Sequence, residues 1–402
     1  MSFAQSEVNA LLRHPSLTFT PGHGEALVDF SRLSDGQQSL LYISLVLAMR
    51  EIGDKVLAGE LEAFDIDKLR PAIFTLIAVE EPENSLSPHY LGRVIRAISE
   101  FANGQNAQTL VATHAPSLLR RVAPETIRYL RLDGDRRTVV ARVVLPENED
   151  AAKYVREAVH AFPELYFARF VILGEGDSEE VVLPRMLAAR GVLTDDASIS
   201  VVPLGGRHVN HFWRLLHELG IPHATLLDLD LARFQGGWGR IKYAATQLLK
   251  YSDVENAGID EDEIAAIPAW NSEQGLLIDD DDWFEYFNER GVFFSSPLDL
   301  DFMMIEAFAE VYRVEDDECE EPDETTLKAV LGKKHDTVAG QYTDYQLQLF
   351  DAYHHRFKLG SKPAWHIRAM AAIDDAEIAA DMPAAMTALI DYVETELEGL
   401  PE

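Results

Sequence analysis

Apolar and polar positions follow two different spacings along the first part of the chain. Residues 33–52 begin at a Ser-Asp cap and place apolar residues at helical spacing, which predicts a helix. Residues 72–79 and 109–112 are unbroken apolar runs, typical of strands buried on both faces of a sheet. Residues 127–145 alternate around Asp-Gly-Asp, which predicts a hairpin. We therefore predict a first α/β unit over residues 1–163.

A second series of strands and helices follows residue 163. Strands are predicted at 168–173, 198–202, 224–229 and 291–295, and helices at 178–190, 211–219 and 300–311. Strands that alternate with helices in this way form a parallel sheet covered on both faces. Because residues from about 325 to 400 have helical patterns, the second predicted domain, 164–402, combines a parallel α/β sheet with a helical C-terminal region.

The amino-acid composition mainly excludes classes of protein, such as membrane-spanning and secreted ones. The 402 residues are 47% hydrophobic and 26% charged, the balance of a globular chain long enough for two domains. No apolar run reaches the length of a membrane span, the N-terminal residues lack the pattern of a signal peptide, and the single Cys319 fits a reducing compartment. We therefore expect a cytoplasmic protein without membrane contact.

The formal net charge of −33 also bears on possible partners. It argues against a protein that binds nucleic acid through a broad basic surface, because Lys and Arg supply most of the non-specific affinity for phosphates. It is compatible with an enzyme that meets phosphates through divalent cations, since the ligands of those cations are themselves carboxylates.

Acidic residues follow the first long apolar strand directly. Glu80 and Glu81 stand at its carboxyl end, where α/β proteins place a magnesium ligand and a water-activating base. His114 follows the next strand, where an imidazole could hydrogen bond to a γ-phosphate. Singly these signals also fit surface turns, but their order and spacing favour a nucleotide site. The N-terminus of the first helix, which offers free N–H groups to phosphate, carries Ser34, Gly36 and Gln37.

A second acidic group follows two strands of the C-terminal unit. Glycines flank Glu175 after the strand 168–173, and Glu179 follows one helical turn later, so both carboxylates can face one cleft. Ser178 is placed to cap the helix. Asp228 and Asp230 stand at the end of the strand 224–229. Each pattern alone also fits a loop or turn, whereas four carboxylates at neighbouring strand ends predict a site for two Mg²⁺ or Mn²⁺ ions.

The first constellation resembles the C-terminal half of an ABC-type ATPase head. In that resemblance Leu33–Gln38 matches the signature motif and Ile73–Glu81 the Walker B motif. Glu80 would then be the magnesium-associated acid, Glu81 the catalytic glutamate and His114 the switch histidine. The resemblance implies ATP as a ligand and, because ABC heads usually work in pairs, a homo-oligomer that is a dimer or larger.

The Walker A motif is missing. The pattern G-x-x-x-x-G-K-[ST] occurs nowhere, and Gly332-Lys333-Lys334 lacks the earlier glycine and the following Ser or Thr. Without this loop the chain alone is not expected to form a complete nucleotide site. Three explanations stay open: a lobe encoded upstream of Met1, a partner chain that carries Walker A, and a lobe kept only for structure. Glu81 and His114 favour the first two.

The second constellation resembles the Toprim domain, in which one strand ends in a glutamate and another in Asp-x-Asp. The pair Glu175 and Glu179 is similar to OLD-family (overcoming lysogenization defect) endonucleases in particular, which also place an ABC ATPase head before the Toprim domain. The resemblance covers nearly the whole chain. It implies cleavage of DNA with two metal ions, an ATPase that gates the reaction, and a role in phage defence. One ion would be held by Glu175, Glu179 and Asp228, and the second would lie near Asp230 and Asp301.

The same resemblance adds candidates of lower weight. Asp301, favoured over Asp299, follows the fourth strand where similar nucleases carry another metal-binding acid, although a helix cap fits as well. Lys362 looks like the lysine that these nucleases use to stabilise phosphate charge, and it also fits a solvated surface lysine. Glycine loops carry Arg207 and Arg240, which could meet the scissile strand or simply belong to local turns.

Two other functions stay open. Another Toprim chemistry, such as strand passage or primer synthesis, is disfavoured because the sequence shows no separate breakage domain with a nucleophilic tyrosine. The main alternative is a non-catalytic or regulatory subunit, whose ATPase-like lobe completes or binds a partner carrying Walker A.

Overall fold

The computed structural model describes residues 18–20, 26–61, 63–64, 67, 72–84, 86–104, 106–145, 149–205, 209–251, 258–276, 282–314, 321–338 and 340–400. The chain forms two compact units, Met1–Val122 and Ala123–Glu402. The hairpin and helix between residues 123 and 163 pack with the second unit, because the helix Glu149–Ala161 and the second hairpin strand both contact the helix Val209–Leu219. The predicted domain boundary at residue 163 therefore differs from the division into compact units.

In its described residues, the first unit contains two short sheets and three α-helices. Its described elements are β1 (Thr18–Phe19), β2 (Val28–Asp29), α1 (Asp35–Leu57), β3 (Thr75–Glu80), α2 (Pro88–Ala102), β4 (Ala107–Ala112) and α3 (Pro116–Leu119). Strands β1 and β2 pair antiparallel, and β3 and β4 pair in parallel with Glu80 opposite Ala112. One apolar face of α2 forms a small core with α3, and its buried residues are Leu91, Ile95, Ile98 and Leu118.

Within the part of the chain that the structure describes, one face of the β3–β4 pair is exposed. Leu76 is 55% exposed and Leu110 is 62% exposed, and both lie on the face opposite the residues that pack toward α2. The prediction that residues 72–79 are buried on both faces is therefore wrong for the described structure. The reason is that α2 covers this two-stranded sheet from one side, while the apolar sequence supplies side chains for two.

The second unit contains a hairpin, a four-stranded sheet and most of the helices. Its strands are β5 (Arg128–Leu132), β6 (Thr138–Arg142), β7 (Phe170–Gly174), β8 (Ile199–Pro203), β9 (His223–Asp228) and β10 (Val292–Ser295). Its helices are α4 (Glu149–Ala161), α5 (Asp177–Ala189), α6 (Val209–Leu219), α7 (Trp238–Tyr251), α8 (Glu261–Ala266), α9 (Asp282–Asn288), α10 (Leu300–Ala307), α11 (Glu324–Leu331), α12 (Asp344–Tyr353), α13 (Lys362–Ala372), α14 (Asp375–Ala380) and α15 (Ala384–Glu398). A π-helical turn, His354–Lys358, continues α12.

The four-stranded sheet has the order β10-β9-β7-β8, and all neighbouring strands are parallel. Its strands are apolar and deeply buried, because α5 packs on it together with helices of the C-terminal region. The predicted α/β class with a parallel sheet and a helical C-terminal region is thereby confirmed. Since β7, β9 and β10 are parallel neighbours, the residues that follow them meet at one edge of the sheet. Among the described residues, no helix combines the length and apolar character needed to span a membrane.

Candidate active site

The loop after β7 is closed by a carboxylate of the next helix. Oε1 of Glu179 accepts the backbone N–H of Glu175 at 3.0 Å, and Oε2 accepts that of Gly176 at 3.1 Å. A Cβ at Gly174 would lie 2.5 Å from Cβ and Cγ of Glu179, so only glycine fits there. Burial, with the nearby charge of Asp301, raises the pKa of Glu179 to about 7. Glu179 thus holds the loop that presents Glu175.

Helix α5 begins differently from the prediction. Its N-cap is Gly176, and Glu179 supplies the capping carboxylate, so the predicted cap Ser178 is wrong. The Ser178 hydroxyl instead donates to Oδ1 of Asp301 at 2.7 Å. The reason is that the carboxylate four residues after Glu175 already satisfies the free amides of this helix end.

Asp228 lies at the end of β9, directly beside this loop. Its backbone N–H donates to Oε1 of Glu175 at 3.1 Å, and its Oδ1 accepts the hydroxyl of Ser295 on β10 at 2.9 Å. Burial, followed by the charge of Glu175, raises the pKa of Asp228 well above its usual value. Burial likewise raises the pKa of Glu175, although the charge of Arg240 opposes it. The structure therefore brings Glu175, Glu179 and Asp228 together.

Asp230 has different partners from the other three predicted acids. It lies in a turn at φ 54°, and its Oδ1 pairs with Nη1 of Arg233 at 2.6 Å. Its Oδ2 accepts Nε of Arg240 at 3.0 Å, and Nη2 of Arg240 reaches Oε2 of Glu175 at 3.2 Å. Burial acts to raise the pKa of Asp230, but the charges of Arg233 and Arg240 outweigh it and hold that pKa below its usual value. Asp230 is an ion-paired carboxylate that reaches Glu175 through Arg240.

Asp301 and Lys362 form an ion pair between α10 and α13. Oδ1 of Asp301 also contacts Nε2 of His366 at 2.8 Å, and Nδ1 of His366 contacts the hydroxyl of Tyr312 at 2.6 Å. Burial would raise the pKa of Asp301, yet His366 and Lys362 lower it to about 2. Asp301 is thus held as a carboxylate, and it positions the amine of Lys362.

Asp299 caps α10. Its Oδ1 accepts the N–H of Phe302 at 3.0 Å, and its Oδ2 accepts the hydroxyl of Tyr353 at 2.5 Å and pairs with Arg233 at 3.2 Å. Asp299 and Asp301 both line the cavity beside this loop, and Asp301 is the one that contacts Lys362, so the preference for Asp301 as a metal-binding acid stays a prediction.

A cavity of about 360 Å³ joins these groups. Its lining includes Glu175, Glu179, Asp228, Asp301 and Lys362. Three of these carboxylates have raised pKa values, because they are buried near one another. A divalent cation would offset this repulsion, and an all-oxygen donor set suits Mg²⁺ or Mn²⁺. The residues present therefore fit the metal that the sequence predicted.

Asp230 and Arg240 line a neighbouring cavity of about 450 Å³. Glu175 belongs to both linings, so it stands between the two cavities. Phe234 and Tyr243 also line the second cavity, and Arg207, the other predicted arginine, lies outside the described residues.

The predicted nucleotide residues of the first unit are arranged as follows. Ser34 caps the start of α1. Its Oγ accepts the N–H of Gln37 at 3.3 Å, and Oε1 of Gln37 accepts the N–H of Ser34 at 3.0 Å. Gly36 is buried in the same turn. The side chains of Ser34 and Gln37 each accept the other's backbone N–H. The cap therefore occupies N–H groups that the sequence suggested for binding phosphate.

Glu81 and His114 meet at the ends of β3 and β4. Nδ1 of His114 lies 3.2 Å from Oε1 of Glu81, and Nδ2 of Asn84 donates to Oε2 of Glu81 at 2.7 Å. Glu80 and Glu81 line a cavity of about 650 Å³. Gln38, which lies just after the start of α1, lines the same cavity. The structure thus places Walker B-like acids, the histidine and the α1 start in one unit.

Four residues of the site were not singled out by the sequence: Arg233, Ser295, Tyr353 and His366. Of these, His366 carried a usable signal, because it follows Lys362 by four residues and so shares its helix face. Arg233 lies three residues after Asp230, a spacing that becomes informative only when the turn is known.

Two family models match the chain. The one described as "Overcoming lysogenization defect protein-like, TOPRIM domain" covers residues 166–230, and the one described as an AAA domain (AbiEii toxin, Type IV TA system) covers residues 2–120. The matches thus define the class of this chain as an AAA domain followed by a Toprim domain.

Curated relatives point to the OLD family within that class. Over 49% of its own length, this chain is 27% identical to an OLD nuclease of Thermus scotoductus. Over 51% of its own length, it is 24% identical to endonuclease GajA of Bacillus cereus. The matched regions span 35% and 32% of these relatives' own lengths. The resemblance to OLD-family proteins is confirmed.

Solved structures of OLD C-terminal regions are also similar to this chain. The region from Burkholderia pseudomallei is 20% identical, with 57% of this chain and 99% of that chain covered and a TM-score of 0.36. The region from Xanthomonas campestris pv. campestris is 20% identical, with 58% and 96% covered and a TM-score of 0.35.

Proposed function

We propose that the second unit is the catalytic part of a divalent-metal-dependent DNA endonuclease that nicks or cleaves phosphodiesters by hydrolysis. The observation that carries this proposal is the single cavity lined by Glu175, Glu179, Asp228 and Lys362. Its buried carboxylates offer hard oxygen ligands to cations, and its lysine offers a cationic contact to a phosphate. The printed names of the two relatives, a nuclease and an endonuclease, support the same activity.

The three central acids have separate proposed roles. Glu175 and Asp228 ligate a divalent cation, and Glu179 fixes the loop and contributes a further oxygen. When bound, such cations supply a water nucleophile at neutral pH and neutralise charge on the phosphate. The hydrogen bond between Glu175 and the backbone of Asp228 keeps both strand ends in place for this ligation.

Lys362 is proposed to bind a non-bridging phosphate oxygen. Its side chain is partly exposed, whereas its partner Asp301 is nearly fully buried and held by Ser178 and His366. The amine can therefore turn toward the cavity while the carboxylate stays fixed. A cation held in place in this way stabilises the negative charge that develops on the phosphate during hydrolysis.

The proposed second ion depends on the substrate. Both oxygens of Asp230 are paired with arginines, and Asp301 is paired with Lys362, so a cation there would have to replace an ion pair. Glu175 pairs with Arg240 through Oε2, whereas its Oε1 contacts a backbone N–H. We therefore place the first ion at Glu175, Glu179 and Asp228, and the second near Asp230 and Asp301 when a phosphate adds its own oxygens. Mg²⁺ commonly binds through few carboxylates plus substrate phosphates.

The first unit is proposed to form part of an ATPase module that gates this centre. Its support is the contact between Glu81 and His114, the two residues expected to act on a γ-phosphate. Nucleotide binding would require a lobe with Walker A from elsewhere in the assembly. The exposed apolar side chains Leu76 and Leu110 support this requirement, because a further layer of polypeptide would bury them.

The nuclease proposal is tested with plasmid DNA and the full chain. Glu175→Gln is expected to reduce Mg²⁺- or Mn²⁺-dependent nicking by on the order of 10³-fold or more, because an anionic metal ligand is lost while the amide oxygen can still accept the N–H of Asp228. Glu180→Gln is the matched control, since Glu180 is an exposed acid on the same segment. Circular dichroism checks that both variants fold. Undiminished nicking by Glu175→Gln would overturn the assignment.

The alternative, a non-catalytic subunit, is favoured by the same exposed sheet face and by the missing Walker A. It predicts a stoichiometric second protein in the purified assembly and no metal-dependent nicking by this chain. Native mass measurement of the assembly, combined with the nicking assay, separates the two functions. A second protein together with loss of nicking in Glu175→Gln would mean that this chain is the nuclease of a hetero-oligomer.

A further inference from the structure

The end of α12 carries a group of side chains of metal-ligating types, outside the lining of the acidic cavity. Asp351, His354 and His355 each place one donor atom within 4.8 Å of the other two. Oδ2 of Asp351 lies 3.5 Å from Nε2 of His355. The rings of His354 and His355 have centroids 5.7 Å apart. None of the three belongs to the lining of the cavity that contains Glu175.

The spacing of these donors fits one small cation. Two ligands of a tetrahedral zinc ion, each about 2.0–2.1 Å from the metal, lie about 3.3 Å from each other. The separation between Asp351 and His355 is already close to that value. Residues three and four positions apart share a helix face, so His354 can approach by side-chain rotation alone. Water would complete the coordination, as it does where three protein ligands hold zinc.

The donor chemistry selects the class of ion. Two imidazoles with one carboxylate suit Zn²⁺ and similar transition metals, whereas Mg²⁺ prefers oxygen ligands alone. An exposed pair of an aspartate and a histidine is common without any metal, but here a third donor stands on the same turn. We infer that Asp351, His354 and His355 form a binding site for a transition-metal ion of the Zn²⁺ class, separate from the acidic centre.

The place of this site in the fold indicates what the ion would do. His354 begins the π-helical turn His354–Lys358, and Tyr353 just before it donates its hydroxyl to Asp299 at 2.5 Å. On the inner side of the turn, Nε of Arg356 donates to the backbone oxygen of Tyr312 at 2.8 Å. An ion on the outer side would tie the end of α12 to the turn. Zn²⁺ is therefore a structural ligand that stabilises the second unit.

The experiment uses the full chain, stripped of metal and of any affinity tag, in a buffer with excess Mg²⁺ so that hard-ion sites are occupied. Zn²⁺ is titrated by calorimetry, and Co²⁺ is added in parallel to read its visible absorption, which reports nitrogen and oxygen ligands. The variants are His354→Gln, His355→Gln and the double substitution. His217→Gln is the matched control, because His217 is an exposed histidine on α6.

We expect one strong Zn²⁺ equivalent in the wild type and in His217→Gln, and a rise in Tm on adding Zn²⁺. Each single variant at 354 or 355 should weaken Zn²⁺ binding by roughly tenfold or more, since even the loss of an outer-shell partner weakens metal sites about 10–100-fold. Equal Zn²⁺ binding by the wild type and the double variant, or no strong binding by the wild type, would overturn the site. Because the double variant keeps Glu175, its nicking activity reports the proposed nuclease function independently.

Discussion

The backbone N–H of Asp228 donates to Oε1 of Glu175 over 3.1 Å, so a carboxylate of the acidic centre joins the two strand ends that build it. The other oxygen of Glu175 pairs with Arg240 at 3.2 Å. Both oxygens therefore have protein partners, and the position of Glu175 is set by β9 and α7 as well as by its own loop. A site held in this way needs little reorganisation when a ligand arrives.

Replacement of Lys362 separates charge stabilisation from metal binding. Lys362→Met should lower kcat for nicking by about 10²–10³-fold, the loss typical of a group that stabilises transition-state charge. Mg²⁺ affinity should not fall, because Glu175, Glu179 and Asp228 are retained and a positive charge beside them is removed. Lys333→Met, at an exposed lysine, is the control. Rates under single-turnover conditions make the comparison, and an unchanged kcat in Lys362→Met would place Lys362 outside the chemistry.

Replacement of Arg240 tests the link between Asp230 and Glu175. Arg240→Gln removes a positive charge that lies 3.2 Å from Glu175, so Mg²⁺ should bind roughly tenfold more tightly. The rate of nicking should nevertheless fall, because Glu175 loses a positioning contact. Calorimetry with Mg²⁺ and the nicking rate are measured on the same preparations. The control is Arg214→Gln, whose partner Glu218 lies on α6 away from the site; weaker Mg²⁺ binding in Arg240→Gln would contradict the prediction.

The buried side chain of His366 contributes to stability through hydrogen bonds with Tyr312 and Asp301. His366→Phe keeps the stacking on Phe357 but leaves the buried hydroxyl of Tyr312 without its partner, so the free energy of unfolding should fall by about 1–3 kcal/mol. Asp301 loses one contact but keeps those with Ser178 and Lys362. Denaturant unfolding of His366→Phe, Tyr312→Phe and the double variant forms a double-mutant cycle. Strictly additive losses would show that the two residues do not act together.

Protonation of Glu179 predicts how stability depends on pH. Its pKa is about 7 in the folded state against an ordinary value of 4.5, so between these pH values the folded protein holds a proton that the unfolded chain releases. The contribution of Glu179 to the free energy of unfolding is fully present below pH 4.5 and is lost as the pH rises through about 7. Added Mg²⁺ should reverse the loss, because it binds the ionised form.

The measurement compares Tm against pH for the wild type and for Glu179→Gln, first in a metal chelator and then in excess Mg²⁺ without chelator. The wild type should lose Tm relative to the variant as pH rises from 5 toward 8, and the variant should respond less to Mg²⁺. Parallel curves for the two proteins would count against a raised pKa at Glu179.

Part of the acidic site could be predicted from local sequence because local geometry determines it. Glycines around Glu175 permit a tight turn, and Glu179 one helical turn later must return to that turn. Asp228 follows a strand that a continuous apolar run makes recognisable, and parallel neighbours bring both strand ends to one edge of the sheet. These features depend on short stretches of chain, and the structure has them.

Other parts depend on tertiary packing and were out of reach. The partners of Asp230 could not be read from Asp-x-Asp, because α7 must dock before Arg240 reaches the turn. The alternation in burial along β3 was also missed, since an apolar run does not say how many layers cover a sheet. The contact of Asp301 with Lys362 depends on how α13 packs against α5.

The contact between Asp301 and Lys362 has a consequence for synthesis of the chain. Ribosomes make the protein from the N-terminus, so Glu175 and Asp228 emerge long before Lys362 and the rest of α13. A nascent or prematurely terminated polypeptide would therefore carry the acidic loop without its lysine, and the sheet without several of the helices that cover it. Under the proposed function, full cutting activity would arise only after α13 has been made and has folded back, because Lys362 is the first residue of that helix.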